Sequence, residues 1–166
     1  GTFGLAWTDA GIARVALPGP DRAGTEIWIS REPAEPGFPE GEVARVAEAI
    51  QHYATGVRVD FADIRLDLSG VPAFDAKTYA LLRQIGYGET TTYGALARDL
   101  GDLALSRAVG HAMGNNPMPL IIPCHRVLAA NGRSGGFSAP GGVEAKMRLL
   151  ALEHAASPSG QFAFGF

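Results

Sequence analysis

The pattern of apolar residues changes at Ser69-Gly70-Val71-Pro72, and this change limits the fold more than any other feature of the chain. Before it, short segments in which apolar and polar residues alternate predict strands, whereas after it apolar residues recur at helical spacing. The glycine and proline at the change favour a linker between folded units. The sequence therefore predicts an α/β protein with two domains. Residues 1–72 are expected to form a small antiparallel sheet domain, and residues 73–166 a mainly helical domain.

The first domain carries predicted strands around one predicted helix. Residues 3–7 and 12–17 are predicted to pair as a hairpin, and residues 26–30 to form a third strand. Apolar residues at helical spacing predict a helix over residues 42–56, which ends at a glycine. Residues 64–68 alternate between apolar and charged side chains, so they predict a half-buried fourth strand.

Helices dominate the second domain. Three are predicted, capped by Asp75, Thr92 and Ser106 and ending near Ile85, Leu100 and Met113. The second and third helices are short and are joined by a tight turn, which is the pattern of a helix-turn-helix unit. In such a unit the second helix enters a groove of DNA. Helix pairs with short turns are common in helical proteins, so this pattern alone indicates DNA binding only weakly.

Composition and charge restrict the classes of function. The one cysteine excludes an internal disulfide and a multi-cysteine zinc site, and it suits a reducing cytoplasm. No signal peptide and no membrane-spanning apolar run are recognisable, so we expect a cytoplasmic protein without a membrane partner. The net charge of −3 is unevenly spread, because residues 1–76 carry 6 Lys/Arg against 12 Asp/Glu whereas residues 77–150 carry 8 against 4. The positive excess in the second half fits an anionic partner or an ordinary solvated surface.

The lone cysteine lies in the segment Pro123-Cys124-His125-Arg126-Val127, directly after an apolar run. A thiolate is a strong nucleophile, and a neighbouring imidazole can make it available at neutral pH. An isolated cysteine is more often a small buried apolar residue. The segment by itself leaves both interpretations open.

Six segments of the second domain decide between them. In chain order they are Thr92-Tyr93-Gly94, Ser106-Arg107-Ala108-Val109-Gly110, Gly114-Asn115-Asn116-Pro117-Met118-Pro119, Ile122-Pro123-Cys124-His125-Arg126-Val127, Gly135-Gly136-Phe137-Ser138 and Gly141-Gly142 to Glu153. With their order and spacing, residues 74–154 resemble the O6-alkylguanine-DNA alkyltransferases, also called methylated-DNA–protein-cysteine methyltransferases. The N-terminal part resembles this family only in the order of its elements, which is that of a small ribonuclease-H-like domain.

The resemblance implies a suicide transferase for DNA repair. The sulfur of Cys124 would displace an alkyl group from O6 of guanine, or from O4 of thymine, in a nucleotide flipped out of double-stranded DNA. His125 would relay the proton of the thiol through a water molecule, and Glu153 would orient and stabilise the imidazole. The resemblance implies one turnover per molecule, no cofactor and no metal. The expected partner is duplex DNA that contains O6-alkylguanine, bound by a monomer.

The resemblance also assigns binding residues. Tyr93 would touch the flipped nucleotide, Arg107 would fill the gap in the base stack, and Asn116 would brace the turn before the active-site strand. Ala108 and Gly110 are small, which would let their helix approach the minor groove closely. The base pocket would be formed by the side chains of Pro119, Phe137 and Ser138 and by the main-chain carbonyls of Cys124 and Val127.

Two departures and two other functions remain to be weighed. Ala139-Pro140 lengthens the lid over the expected pocket, and the tail 157–166 has no assignable counterpart in the family.

A Cys-His-Glu hydrolase would need an oxyanion hole, and the chain has no lipase or protease signature. A helix-turn-helix protein that only senses alkylated DNA is the second alternative, but such relatives lack the cysteine that Cys124 provides here.

Overall fold

The computed structural model describes residues 1–30, 35–130 and 132–155, so the tail 157–166 lies outside the described residues. The strands and helices, in chain order, are β1 (Gly4–Thr8), β2 (Gly11–Ala16), α1 (Arg22–Ile29), α2 (Gly41–Ala54), α3 (Ala73–Leu82), β3 (Thr91–Thr92), α4 (Tyr93–Asp99), α5 (Ser106–Gly114), β4 (Val127–Leu128) and α6 (Gly142–Leu152). Two 3₁₀ turns, Leu103–Leu105 and Cys124–Arg126, precede α5 and β4. The predicted α/β class, with a small antiparallel sheet and a mainly helical region, is confirmed.

The hairpin forms as predicted. Strands β1 and β2 pair antiparallel, with Leu5 opposite Val15 and an irregularity after Ala6. The Val15 N–H also donates to the Pro117 carbonyl at 2.9 Å, which ties the hairpin to the loop that leads to the cysteine. Residues 64–68 lie parallel to β2 but form only an isolated bridge, Ile12 with Leu66, in place of the predicted fourth strand.

The predicted third strand is wrong, because residues 26–30 belong to helix α1 and its C-cap. A short apolar run fits a strand or a helix equally well, so the flanking residues decide. The Asp21 carboxylate accepts from the Gly24 N–H at 2.7 Å, which caps a helix. On the exposed side of this helix, Arg22 Nε lies 2.6 Å from Glu26 Oε1, and this ion pair at i,i+4 spacing also favours the helix.

The helix caps are predicted correctly at one of three positions. The Thr92 hydroxyl accepts from the Ala95 N–H at 3.1 Å and begins α4 as expected. Pro72, and not Asp75, holds the N-cap of α3, where the missing proline N–H leaves nothing unpaired. Ser106 already belongs to α5, and its hydroxyl donates to the Leu103 carbonyl at 2.6 Å because a 3₁₀ turn runs straight into the helix.

One hydrophobic cluster joins the two halves of the chain. It contains residues from before and after Pro72, among them Val15, Ile50, Leu82 and Ile122. Helices α4 and α5 pack against each other as the two helices of the predicted helix-turn-helix. The division into residues 1–72 and 73–166 stays a prediction. Within the described part of the chain, every helix is too short or too polar to cross a membrane.

Candidate active site

The cysteine is placed by a loop whose backbone is braced from inside. The Asn116 side chain donates to the Ile122 carbonyl at 2.8 Å and accepts from the Met118 N–H at 2.9 Å. Between these points Leu120 adopts a positive φ of 77°, which is strained for a branched side chain. The loop ends in the 3₁₀ turn that begins at Cys124. Asn116 thus holds the loop through hydrogen bonds to Met118 and Ile122.

A second contact brings the start of α4 to the same place. Strands β3 and β4 pair in parallel, with Thr91 opposite Val127. Since α4 begins directly after β3 and the cysteine turn ends directly before β4, Tyr93 and Cys124 face one cavity. The cavity measures about 290 Å³ and is lined by Tyr93, Gly110, Met113, Gly114, Cys124, Gly136, Phe137 and Ser138. This volume is at the small end of the range of ligand pockets.

The imidazole beside the cysteine is paired with a carboxylate. His125 Nε2 lies 2.8 Å from Glu153 Oε1, and both side chains are fully buried. An ionised carboxylate can only accept, so Nε2 carries the hydrogen and the neutral ring has a lone pair on Nδ1. Nδ1 has no hydrogen-bond partner within the described residues. The ring is therefore oriented so that Nδ1 can take up a proton.

Glu153 is held at the end of α6 by a dense set of donors. Besides His125, Arg126 donates to both carboxylate oxygens at 2.9 Å. The Tyr53 hydroxyl donates to Oε1 at 2.6 Å, and the Gly88 N–H to Oε2 at 3.2 Å. A side chain at Gly88 would not fit, because its Cβ would lie 2.9 Å from the Glu153 carbonyl oxygen. Burial opposes ionisation, but the hydrogen bonds from His125 and Arg126 and the charge of Arg126 hold the pKa of Glu153 far below its ordinary value.

Burial of the Cys124 thiol opposes its ionisation, whereas neighbouring side chains favour it. Burial raises the pKa of Cys124, while the side chain of Asn116 and the charge of Lys146 lower it. Lys146 is fully buried, donates to the Val127 carbonyl at 2.6 Å, and has its pKa lowered to about 8 by burial. Burial also lowers the pKa of His125, although Glu153 raises it. A neutral imidazole next to a protonated thiol is the resting arrangement that follows.

The structure brings together some of the predicted binding residues and not others. Tyr93, Gly110, Phe137 and Ser138 line the cavity with Cys124. Arg107 is exposed and Ala108 half-buried on α5, and neither lines the cavity. Pro119 is buried in the loop, where it forms a bridge with Ile122, and the Val127 carbonyl already accepts from Lys146.

Sequence reasoning missed residues that lie far from Cys124 in the chain but contact the site in the folded protein. Tyr53 and Lys146 were not predicted, although Tyr53 lies three residues after the buried Ile50 and Lys146 four residues before the buried Leu150. Helical spacing therefore signals their burial, but it cannot identify the groups that they contact. Met113 and Gly114 also line the cavity without having been predicted. Within the described ranges, no group of three His, Cys, Asp or Glu residues could hold a metal ion.

Known proteins share this arrangement of sequence and fold. The family model "6-O-methylguanine DNA methyltransferase, DNA binding domain" matches residues 73–155. A methylated-DNA–protein-cysteine methyltransferase of Mycolicibacterium paratuberculosis is 37% identical over 156 residues, which cover 91% of this chain and 92% of that protein. A DNA base-flipping protein of Thermus thermophilus is 44% identical over 128 residues, 75% of this chain and 84% of that protein.

Solved structures agree with the sequence relatives. The Mycobacterium tuberculosis OGT in complex with DNA superposes with a TM-score of 0.71 at 33% identity, over 90% of this chain and 84% of that one. The O6-methylguanine DNA methyltransferase of Methanococcus jannaschii gives a TM-score of 0.67 at 32% identity, over 99% and 95%. On this evidence the chain belongs to the 6-O-methylguanine DNA methyltransferase family.

Proposed function

We propose that this protein repairs DNA by moving an alkyl group from O6 of guanine in duplex DNA onto the sulfur of Cys124, once per molecule. The observation that carries the proposal is the position of the thiol. It lines an open cavity and is followed in the chain by a buried imidazole whose Nδ1 is unpaired within the part of the chain that the structure describes. A nucleophile beside an oriented base is the arrangement of an activated cysteine.

In the proposed reaction the sulfur attacks the alkyl carbon in line with its bond to O6. A carbon–sulfur bond forms while the carbon–oxygen bond breaks, and the electron pair of the broken bond stays on guanine. The proton of the Cys124 thiol passes to Nδ1 of His125, and guanine takes up one proton from solvent and leaves as the normal base. Glu153 remains ionised and stabilises the imidazolium that has formed. Because a thioether is not hydrolysed as an acyl intermediate is, the thiol is not regenerated and the protein acts once.

The helix-turn-helix supports duplex DNA as the partner. In the proposal, α5 lies in the minor groove, where its small residues Ala108 and Gly110 let the backbone approach closely. The exposed Arg107 fills the gap that the flipped nucleotide leaves, since an open gap in the stack costs a few kcal/mol. Tyr93 contacts the flipped nucleotide from the wall of the cavity. We expect the protein to act as a monomer in the cytoplasm.

A lesion sensor without chemistry is the second candidate. It is favoured by the similarity to the Thermus thermophilus protein, whose name refers to base flipping alone. Both candidates bind and flip an alkylated nucleotide, so binding experiments do not separate them. The transfer reaction leaves a permanent mark on the protein, and this difference is measurable.

Intact-protein mass spectrometry after incubation with an O6-methylguanine duplex tests the proposal. We expect each molecule to gain the mass of one CH₂ group and no more, and peptide mapping to place it on Cys124. The Cys124→Ala variant should bind the same duplex and gain no mass. Methyl transfer by that variant would contradict the assignment of the nucleophile, and unmodified parent protein that binds the lesion would identify a sensor. A second duplex with O4-methylthymine measures the preference between the two bases.

A further inference from the structure

Helix α2 reaches the catalytic residues through one side chain. The Tyr53 hydroxyl donates to Glu153 Oε1 at 2.6 Å, between residues 100 positions apart. Both residues are buried, with 1% and 2% of their surface exposed. Tyr53 lies outside residues 73–155, the part of the chain that the family model covers. The hydrogen bond therefore connects the N-terminal part to the carboxylate that orients the imidazole.

The position of the hydroxyl gives it an influence on His125. Glu153 Oε1 accepts from Tyr53, from His125 at 2.8 Å and from Arg126 at 2.9 Å. Donors that share one oxygen share its negative charge, so each of them weakens the attraction of the carboxylate for the others. The other charged groups near the imidazole are positive, Arg126 on its own turn and Lys146 on α6. Tyr53 is a neutral donor that adds to their effect.

The ring of Tyr53 is fixed and its hydroxyl stays protonated. Its ring packs against Phe61, with centroids 5.7 Å apart, and edge-on against Tyr87, with centroids 6.0 Å apart. Burial and the charge of Glu153 raise the pKa of Tyr53 far above its ordinary value. The hydroxyl therefore stays protonated at neutral pH and donates to the carboxylate.

We propose that Tyr53 is a positioning residue for the transfer reaction: its hydroxyl holds Glu153 Oε1 against His125 Nε2 and limits the charge that the carboxylate offers to the imidazole. His125 Nδ1 is then left free to accept the proton of the thiol at neutral pH. This inference rests on the proposed function of the site. It assigns to the N-terminal part a direct effect on the chemistry, in addition to its packing.

The Tyr53→Phe variant removes the hydroxyl and keeps the ring. With one donor fewer, Glu153 binds the protonated imidazole more strongly, so the acid-side inflection of the transfer rate moves to higher pH. We expect a shift of about half a pH unit, which lowers the transfer rate about threefold at a fixed pH below the inflection. The pKa of His125, measured by NMR titration of its ring in the DNA-free protein, should rise by the same amount.

The matched control is Tyr87→Phe. Tyr87 lies against Tyr53, but its hydroxyl donates to the main-chain carbonyls of Leu152 and Gly56, not to the carboxylate. This variant should lose stability without moving the inflection. Site-specific 3-fluorotyrosine at position 53, a stronger donor of the same shape, should move the inflection and the pKa of His125 to lower pH, and it serves as the test if Tyr53→Phe does not fold.

The results separate this inference from the proposed function. An unchanged inflection in both position-53 proteins, or an equal shift in Tyr87→Phe, would overturn the role of Tyr53. If the parent protein transfers no alkyl group, the proposed function fails, while the NMR titration of His125 still decides whether Tyr53 controls the imidazole.

Discussion

The buried lysine beside the active site makes stability depend on pH in a way that one substitution should remove. Lys146 is 0% exposed, and its ammonium group donates to the Val127 carbonyl at 2.6 Å. Burial lowers the pKa of Lys146 from 10.5 to about 8. The Lys146→Met substitution keeps an unbranched chain of similar length in the core and deletes the charge.

The direction and size of the effect follow from the two pKa values. Between pH 8 and pH 10.5 the unfolded chain keeps the Lys146 proton while the folded protein has released it. Stability therefore rises with pH across this window, because the unfolded state binds more protons there. At about 1.4 kcal/mol per pH unit, the full effect is on the order of 3 kcal/mol. Below pH 8 both states carry the charge, and the cost of burying it is fully present.

Urea unfolding of the parent protein and of Lys146→Met, from pH 7 to pH 10.5, measures this effect. The free energy of unfolding of the parent should rise relative to that of the variant by about 3 kcal/mol across the range. Lys77 is the other lysine of the chain and is exposed on α3, so Lys77→Met is the matched control and should run parallel to the parent. Parallel curves for the parent and Lys146→Met would refute the argument that the buried amine loses its proton near pH 8.

Three further predictions concern Glu153 and helix α5. The pKa of Glu153 is lowered in the folded protein, so its stabilising effect is present above pH 4.5 and is lost as pH falls below that value. Glu153→Gln should lower the free energy of unfolding by about 3–5 kcal/mol at neutral pH, because Arg126 loses its buried partner. Urea unfolding of this variant should depend less on pH in the acid range than unfolding of the parent does. Gly110→Ala should stabilise the protein by about 0.5–1 kcal/mol and so raise its thermal midpoint, because the new Cβ meets no atom within 4 Å of it. The same substitution should slow transfer from duplex DNA. Arg107→Ala should slow transfer from duplex DNA and leave the alkylation rate of Cys124 by iodoacetamide unchanged; equal transfer rates would contradict its role in flipping.

Local signals predicted the elements that local chemistry controls. The hairpin, helix α2 and the Thr92 cap of α4 depend on side chains within a few residues of one another, and they were predicted correctly. Residues 26–30 were predicted wrongly because a run of three apolar side chains fits the periodicity of a strand and that of a helix equally well. The N-cap at Asp21 favours the helix more than the apolar side chains favour a strand. Residues 64–68 have the alternation of a strand but only one bridging partner, since pairing depends on what lies alongside.

In the candidate site, too, features that depend on neighbouring residues were predictable, and features that depend on tertiary packing were not. Cys124 and His125 are adjacent in the chain, and their segment allows a nucleophile with a base but also a small buried apolar cysteine. The family resemblance added Glu153, whose contact with His125 the structure places at 2.8 Å. Neither source could indicate that Tyr53 and Lys146 approach from other helices, because a residue at a buried helical position looks like an ordinary core residue in sequence.

The sequence by itself therefore determined the family and the α/β class, and it predicted the nucleophile, because each of these depends on residue types at short or fixed spacing. Only the tertiary structure decided the protonation pattern of the site. The pKa values of Cys124, His125 and Lys146 depend on burial, and burial is produced by the packing of α2, α6 and the active-site loop against one another. Loss of water around a charge is a property of the folded assembly and has no counterpart in any single segment of the chain.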